Sequence, residues 1–117
     1  MKYACLVYVD PDQMGALTKE EGIALSDASI EHDEDLSRRG HMIYAQALES
    51  PESAVTVRIR NGKLSSTDGP FAETKEFLAG FMLIEARDLN EAVALAGKAP
   101  MARFTIEVRP FLDLSHS

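Results

Sequence analysis

Among the side chains able to do chemistry, His32 stands apart. At 100° per residue Leu25, Ser29, His32 and Leu36 fall on one helical face, with Ala28 at its edge, so an imidazole sits within an otherwise apolar stripe. An imidazole near neutral pH is the usual proton-transfer group. Burial would lower its pKa and a neighbouring carboxylate would raise it. Asp35 lies one turn further on, and Asp68 could approach through space. A core histidine satisfied by one hydrogen bond would show the same pattern.

A second concentration of function-capable residues runs Asp68-Gly69-Pro70-Phe71-Ala72-Glu73-Thr74-Lys75-Glu76. Pro70 sets its own φ and biases Gly69 away from the helical region, while Gly69 can reach φ > 0 without penalty. Asp68 can close an Asx-turn onto the backbone, and Phe71 is expected to anchor the loop to the core. The loop therefore reads either as a structural turn or as a rigid mount that offers Asp68, Glu73 and Lys75 to a pocket. Arg58 and Arg109 are further candidates for pairing with substrate charge, against the plainer reading of solvated strand charges. Tyr44 and Tyr8 could line such a pocket or simply pack. The run Glu31-His32-Asp33-Glu34-Asp35 is rich in ligand types, but only i, i+3 and i+4 neighbours converge on a helix and no second His stands at that spacing, so no metal is expected. No phosphate-binding glycine loop and no Ser or Cys nucleophile signature is present, and no cofactor is expected.

The elements that must position these residues follow from periodicity. Tyr3 to Val9 is apolar on both faces and reads as a central strand, ended by Asp10-Pro11-Asp12. Thr18 with Glu21 forms a capping box opening a helix that runs to Arg39, with Gly40 suited to its C′ position. Ile23 and Ile30 give this helix a second apolar face. Met42 to Leu48 and Ala54 to Arg60 are strands; Asn61-Gly62 is a strong hairpin signal, and Lys63 to Thr67 returns. Phe77 to Ala86 is another two-sided strand, with Ala79-Gly80 marking a bulge or close backbone approach. Asp88 with Glu91 caps a second helix whose buried face is expected to be Leu89, Ala92, Val93, Ala96 and Ala99, stopped by Pro100. Phe104 to Phe111 is the last strand. The expected organisation is a single domain over residues 1–112 with a polar tail over 113–117.

The order β-α-β-hairpin-β-α-β predicts an α+β fold: a ferredoxin-like split βαβ with an extra central hairpin, and an antiparallel sheet with two helices on one face. The strands apolar on both faces would then expose more than the roughly 300–600 Å² patch usual for a monomer. A second copy, sheet against sheet, is the expected cover, with a barrel-like interior between the sheets. The chain has 117 residues and a formal net charge of -7. That acidity argues against direct nucleic-acid binding and against an anionic membrane surface. A lone Cys5 allows no internal disulfide, no apolar run is long enough to span a bilayer, and no signal-peptide layout opens the chain, so a cytoplasmic protein is expected.

The opening Met1-Lys2-Tyr3, the Asn61-Gly62-Lys63 turn, the Asp68 to Glu76 run, Gly80-Phe81 and the closing Glu107-Val108-Arg109-Pro110 together resemble the YCII-related family, in the branch marked by Asp-Gly-Pro-Phe. That resemblance implies a dimeric α+β barrel of ferredoxin-like subunits. Relatives in the wider family carry a His on the first helix as half of a His–Asp dyad, and His32 matches it. Their Asp precedes the proline after the second helix; here that place is Ala99, before Pro100. Asp68 is the substitute, which makes His32 and Asp68 the candidate catalytic pair, with Glu73, Lys75, Arg58, Arg109 and Tyr44 as candidate substrate-binding residues. One branch of the wider family carries out lyase-type dehydrochlorination, which implies cofactor-free acid/base work by His32 on a small, aromatic or halogenated molecule. Similar domains also occur fused to extracytoplasmic-function sigma factors, which implies instead a non-catalytic ligand-binding or regulatory module acting through a partner.

Overall fold

The structure is a computed structural model that describes residues 1–72 and 74–114. Layering begins with β1 (Lys2–Val9), where Tyr3, Cys5, Val7 and Val9 are buried beneath the helices and Ala4, Leu6 and Tyr8 are half-buried on the opposite side. Asp10 then accepts the Asp12 N–H at 2.9 Å, and with Pro11 in the first turn it starts a short helix, α1 (Pro11–Gly15). This helix goes beyond the strand end expected at Asp10-Pro11-Asp12, and an Asp N-cap followed by Pro is its start signal.

α2 (Lys19–Arg38) opens on the expected capping box: Thr18 Oγ1 accepts from the Glu21 N–H at 3.1 Å, and Glu21 accepts from the Thr18 N–H at 3.0 Å. Arg39 is its C-cap, followed by Gly40 at φ 79°. β2 (Met42–Ala47) follows, then β3 (Val55–Arg60) and β4 (Lys63–Asp68), joined by Asn61 and Gly62 at φ 51° and 74°. Positive φ at both central residues makes this the primed turn that suits strand twist. β5 (Phe77–Glu85), α3 (Leu89–Gly97) and β6 (Thr105–Pro110) complete the chain, with Asp88 Oδ1 accepting the Glu91 N–H at 2.9 Å.

All strand pairs among the described residues are antiparallel. The main sheet has the order β2-β5-β1-β6, and β3-β4 forms a separate two-stranded ribbon. With the ribbon set aside, that order is the ferredoxin-like one, and the extra hairpin and one-sided helices are as the pattern predicts. The core gathers Tyr3, Cys5, Leu36, Met82, Ile84, Ala92, Leu95 and Ala96 between the sheet and helices. Burial pushes the Cys5 thiol up to about 11, so it stays neutral at pH 7. The α3 stripe differs from expectation. Leu89 and Val93 are exposed, and Leu95 takes their place. Ala92, Leu95, Ala96 and Ala99 keep the i, i+3, i+4, i+7 spacing, whereas Leu89 lies in the first turn and Val93 is rotated 100° from Ala92.

Ala79 and Gly80 show both features expected of them. The register steps from Val7–Gly80 to Tyr8–Leu78, which leaves Ala79 as the extra residue of a bulge. A Cβ built on Gly80 would stand 2.8 Å from the Gln46 carbonyl oxygen, a backbone atom with little room to yield. Gly80→Ala is therefore expected to cost about 1–3 kcal/mol by forcing β2 from β5. Urea unfolding should show the midpoint fall at unchanged slope; an unshifted midpoint would contradict the close approach.

Candidate functional site: a histidine on the wall of an apolar cavity

Between α2 and the sheet lies a cavity of about 530 Å³, walled by Val7, Leu25, Met82 and Met101, with His32 and Asp33 at its α2 side. Its cause is legible on the helix. Gly22, Ser26, Ser29 and Asp33 line it at spacings of 4, 3 and 4, which is one helical face. Small side chains along most of that stripe leave the space open, whereas Leu36, further along the helix, is buried in the core.

His32 is nearly enclosed, its side chain 11% exposed against 39% for Asp33. Its Nε2 lies 3.3 Å from the Leu95 carbonyl oxygen. A carbonyl can only accept, so Nε2 carries the proton and donates, and the neutral ring keeps its lone pair on Nδ1. Nδ1 is 3.9 Å from Asp33 Oδ1, too far for a direct hydrogen bond but close enough to stabilise an imidazolium. Burial raises the Asp33 carboxyl from its ordinary value, and the His32 charge pulls it partly back. The arrangement can take a proton at Nδ1 with a carboxylate beside the charge that results.

The other expected site residues are dispersed. Asp68 ends β4, exposed and opposite Val55 on the separate ribbon, so a single subunit does not bring it to the His32 cavity. Backbone contacts hold its turn: the Gly69 N–H donates to the Ala54 carbonyl at 2.7 Å, and Thr56 Oγ1 donates to the Gly69 carbonyl at 2.8 Å. Phe71 does not anchor in the core. It is 74% exposed, with the Arg58 guanidinium 4.5 Å above its ring. Arg58 is thereby engaged in a cation–π contact on the ribbon. Lys75 Nζ stands 3.5 Å from the buried Asp10 carboxylate, beside a shallow hollow that Tyr8, Glu76, Thr105 and Glu107 also line. Arg109 pairs with Glu107 at 3.2 Å. Tyr44 donates to Gln46 Oε1 at 3.0 Å, with its ring 6.1 Å from that of Phe81. Glu73 lies outside the described residues, as does most of the expected tail.

Cross-strand register explains the dispersal. Ala4 opposes Arg109 and Leu83; Leu83 opposes Tyr44. These residues share the sheet face away from the helices, whereas His32 stands on the helix side. Asp35, one turn beyond His32, turns instead to Arg39 and Arg38 at 3.2 and 3.5 Å. Helical spacing does not pair Asp33 with His32, because successive residues do not face each other; the signal that marks Asp33 is the stripe of small residues it terminates.

The chain belongs to the YCII-related family, whose domain matches residues 1–115. A curated relative, an uncharacterised protein of Rhizobium meliloti (strain 1021), is 36% identical over 118 residues, covering 94% of this chain and 91% of that protein. Among solved structures the fold is similar to that of the 5-chloro-2-hydroxyhydroquinone dehydrochlorinase (TftG) of Burkholderia phenoliruptrix AC1100, in complex with 2,5-dihydroxybenzoquinone. The TM-score is 0.56 and the identity 14%, covering 96% of this chain and 94% of that one. Among the described residues no helix is long and apolar enough to cross a membrane.

Proposed function

We propose that this protein is a homodimer that holds a small, largely apolar molecule between α2 and the sheet, and that His32 moves a proton on it without a cofactor. The observation that carries this reading is a nearly enclosed imidazole, with Asp33 beside it, on the wall of a largely apolar cavity. Leu95 fixes the ring through Nε2, so Nδ1 is the atom that would accept a proton. In an elimination, the C–H or O–H bond at the ligand breaks toward Nδ1 and its electron pair forms a new π bond. The leaving group departs with the pair from its own bond, and Asp33 faces the imidazolium. In this scheme Asp33 takes the carboxylate role that the sequence suggested for Asp68. The dehydrochlorinase of similar fold acts on a hydroxylated ring, and its solved complex holds a quinone, which makes hydroxylated aromatics and quinones the first ligands to try.

Sheet-to-sheet pairing is supported by Leu6, Phe81, Leu83 and Tyr44 on the face that the helices leave uncovered. Arg109 shares that face. A cytoplasmic location fits a buried thiol without a disulfide partner.

Gly22 supplies the test. A Cβ there meets nothing within 4 Å, and the residue lies on α2 at the cavity. Gly22→Leu should fill the space while removing a helix-interior glycine, a change worth up to about 1 kcal/mol in propensity. In a thermal-shift screen of hydroxylated aromatics and quinones, the wild type should be stabilised by a ligand that leaves Gly22→Leu unmoved. Equal shifts in both would place binding elsewhere. A second reading, a binding module without catalysis, is favoured by the 3.9 Å gap between Nδ1 and Asp33. Binding with no product, unaltered by His32→Gln, would select it.

A further inference from the structure

Among the described residues the β3–β4 ribbon shares no ladder with the main sheet. Its register pairs Val55 with Asp68, Val57 with Ser66 and Ile59 with Leu64, so the four apolar residues occupy one side. Val55, Val57, Ile59 and Leu64 are 58, 60, 74 and 73% exposed. The other side carries Thr56, Arg58, Arg60 and Lys63. A two-stranded hairpin is marginal by itself and requires support on an apolar face.

The molecule's shape shows how much surface is uncovered. Its radius of gyration is 16.5 Å, where a compact chain of this length would have about 13 Å. Its accessible surface is 8396 Å², where a compact monomer of 12.8 kDa would expose about 6,300 Å². The excess of about 2,100 Å² exceeds the roughly 800 Å² per partner of a standard interface. The molecule measures 51 × 47 × 19 Å. A sheet and one helix layer account for that thinnest dimension at about 10 Å per layer. The ribbon therefore extends sideways, in the plane of the slab, and covers neither face of its own subunit.

Charge indicates the same occupant. Arg58, Arg60 and Lys63 against Asp68 give residues 55–68 a net charge of +2, which leaves -9 for the rest of a chain whose total is -7. An arm of that sign is attracted to the acidic body of another copy.

We propose that the β3–β4 ribbon is a clasp for a second copy of this chain, its Val55-Val57-Ile59-Leu64 side lying against the partner. The proposal rests on the homodimer put forward above. A copy stacked on the open sheet face is overhung by the arm at its edge, and two-fold symmetry returns the contact, so each dimer has two clasps. Asp68 shares the apolar side and enters the interface with it, which assigns the rigid Gly69-Pro70 turn the task of aiming the arm.

Analytical ultracentrifugation tests this with three variants. Val57→Glu/Ile59→Glu should weaken the wild-type dimer at least tenfold in Kd. Ser65→Glu/Thr67→Glu puts the same charge on the ribbon's other side and should change Kd less than threefold. Leu6→Glu, on the sheet face, reports on stacking itself. If Val57→Glu/Ile59→Glu pairs as tightly as wild type while Leu6→Glu does not pair, the clasp is overturned and the sheet dimer stands. A wild type that is monomeric at micromolar concentration overturns both. Limited trypsinolysis of the wild type checks the clasp without any variant. Cleavage after Arg60 and Lys63 should slow as protein concentration rises through Kd; cleavage independent of concentration across the dimerisation range overturns the clasp.

Discussion

His32→Gln is expected to lower turnover of a bound substrate by about 10²–10⁴-fold, the range that general acid–base groups contribute, with little change in melting temperature. Glutamine's amide can still donate to the Leu95 carbonyl, so the packing that Nε2 secures at 3.3 Å is largely retained. The amide cannot take a proton at neutral pH, so the loss isolates the proton-transfer role. Steady-state kinetics beside a circular-dichroism melt would separate the two, and unchanged kcat would remove His32 from the chemistry. Asp33→Asn should lower kcat less, because Asp33 stabilises charge without touching the proton. Its effect on stability has the opposite sign. Burial raises the folded-state pKa of Asp33 above its unfolded value. Its favourable contribution is therefore present at pH values below the unfolded pKa and is lost as pH rises through the folded one. At pH 7 the ionised carboxylate is a small burden, and asparagine should leave the melt equal or slightly higher.

Leu36→Ala is expected to destabilise the fold by about 2–5 kcal/mol. Leu36 is 1% exposed and belongs to the core cluster of Tyr3, Cys5, Ile84 and Leu95. It stands one turn after His32 on the same α2 stripe, so it holds the segment that carries the site. Removing it takes away buried apolar surface and leaves a hole between helix and sheet that close-packed neighbours fill only in part. Against the 5–15 kcal/mol usual for a domain, that is a large share. Urea unfolding at fixed protein concentration should show the midpoint drop with little change in slope; a loss below about 1 kcal/mol would mean that α2 is held chiefly by other contacts.

Both expectations draw on features readable at different depths. The capping box at Thr18 and Glu21, the Asp88 cap and the Asn61-Gly62 turn are set by interactions within a few residues, and each was legible from spacing; the bulge at Ala79 depends on pairing with the distant β1, and only its glycine neighbour signalled it. The short α1 was legible too, through Asp10 and Pro11, but its five residues carry too little periodicity to stand out. Phe71 shows where composition misleads: an aromatic in a loop reads as a core anchor, yet here a cation from the facing strand makes an exposed position favourable.

The amino-acid order by itself determined the strands, the helices, the ferredoxin-like succession and the place of His32 on an apolar helix face, because periodicity and end-capping act locally. Only the tertiary structure decided which carboxylate the imidazole meets. α2 lays its Leu36 stripe on the odd-numbered side of β1, which puts His32 and Asp33 on that side of the sheet, while Asp68 lies on a ribbon separate from it. That outcome depends on which apolar faces find each other across long sequence separations, a matter of packing that no window of neighbouring residues contains.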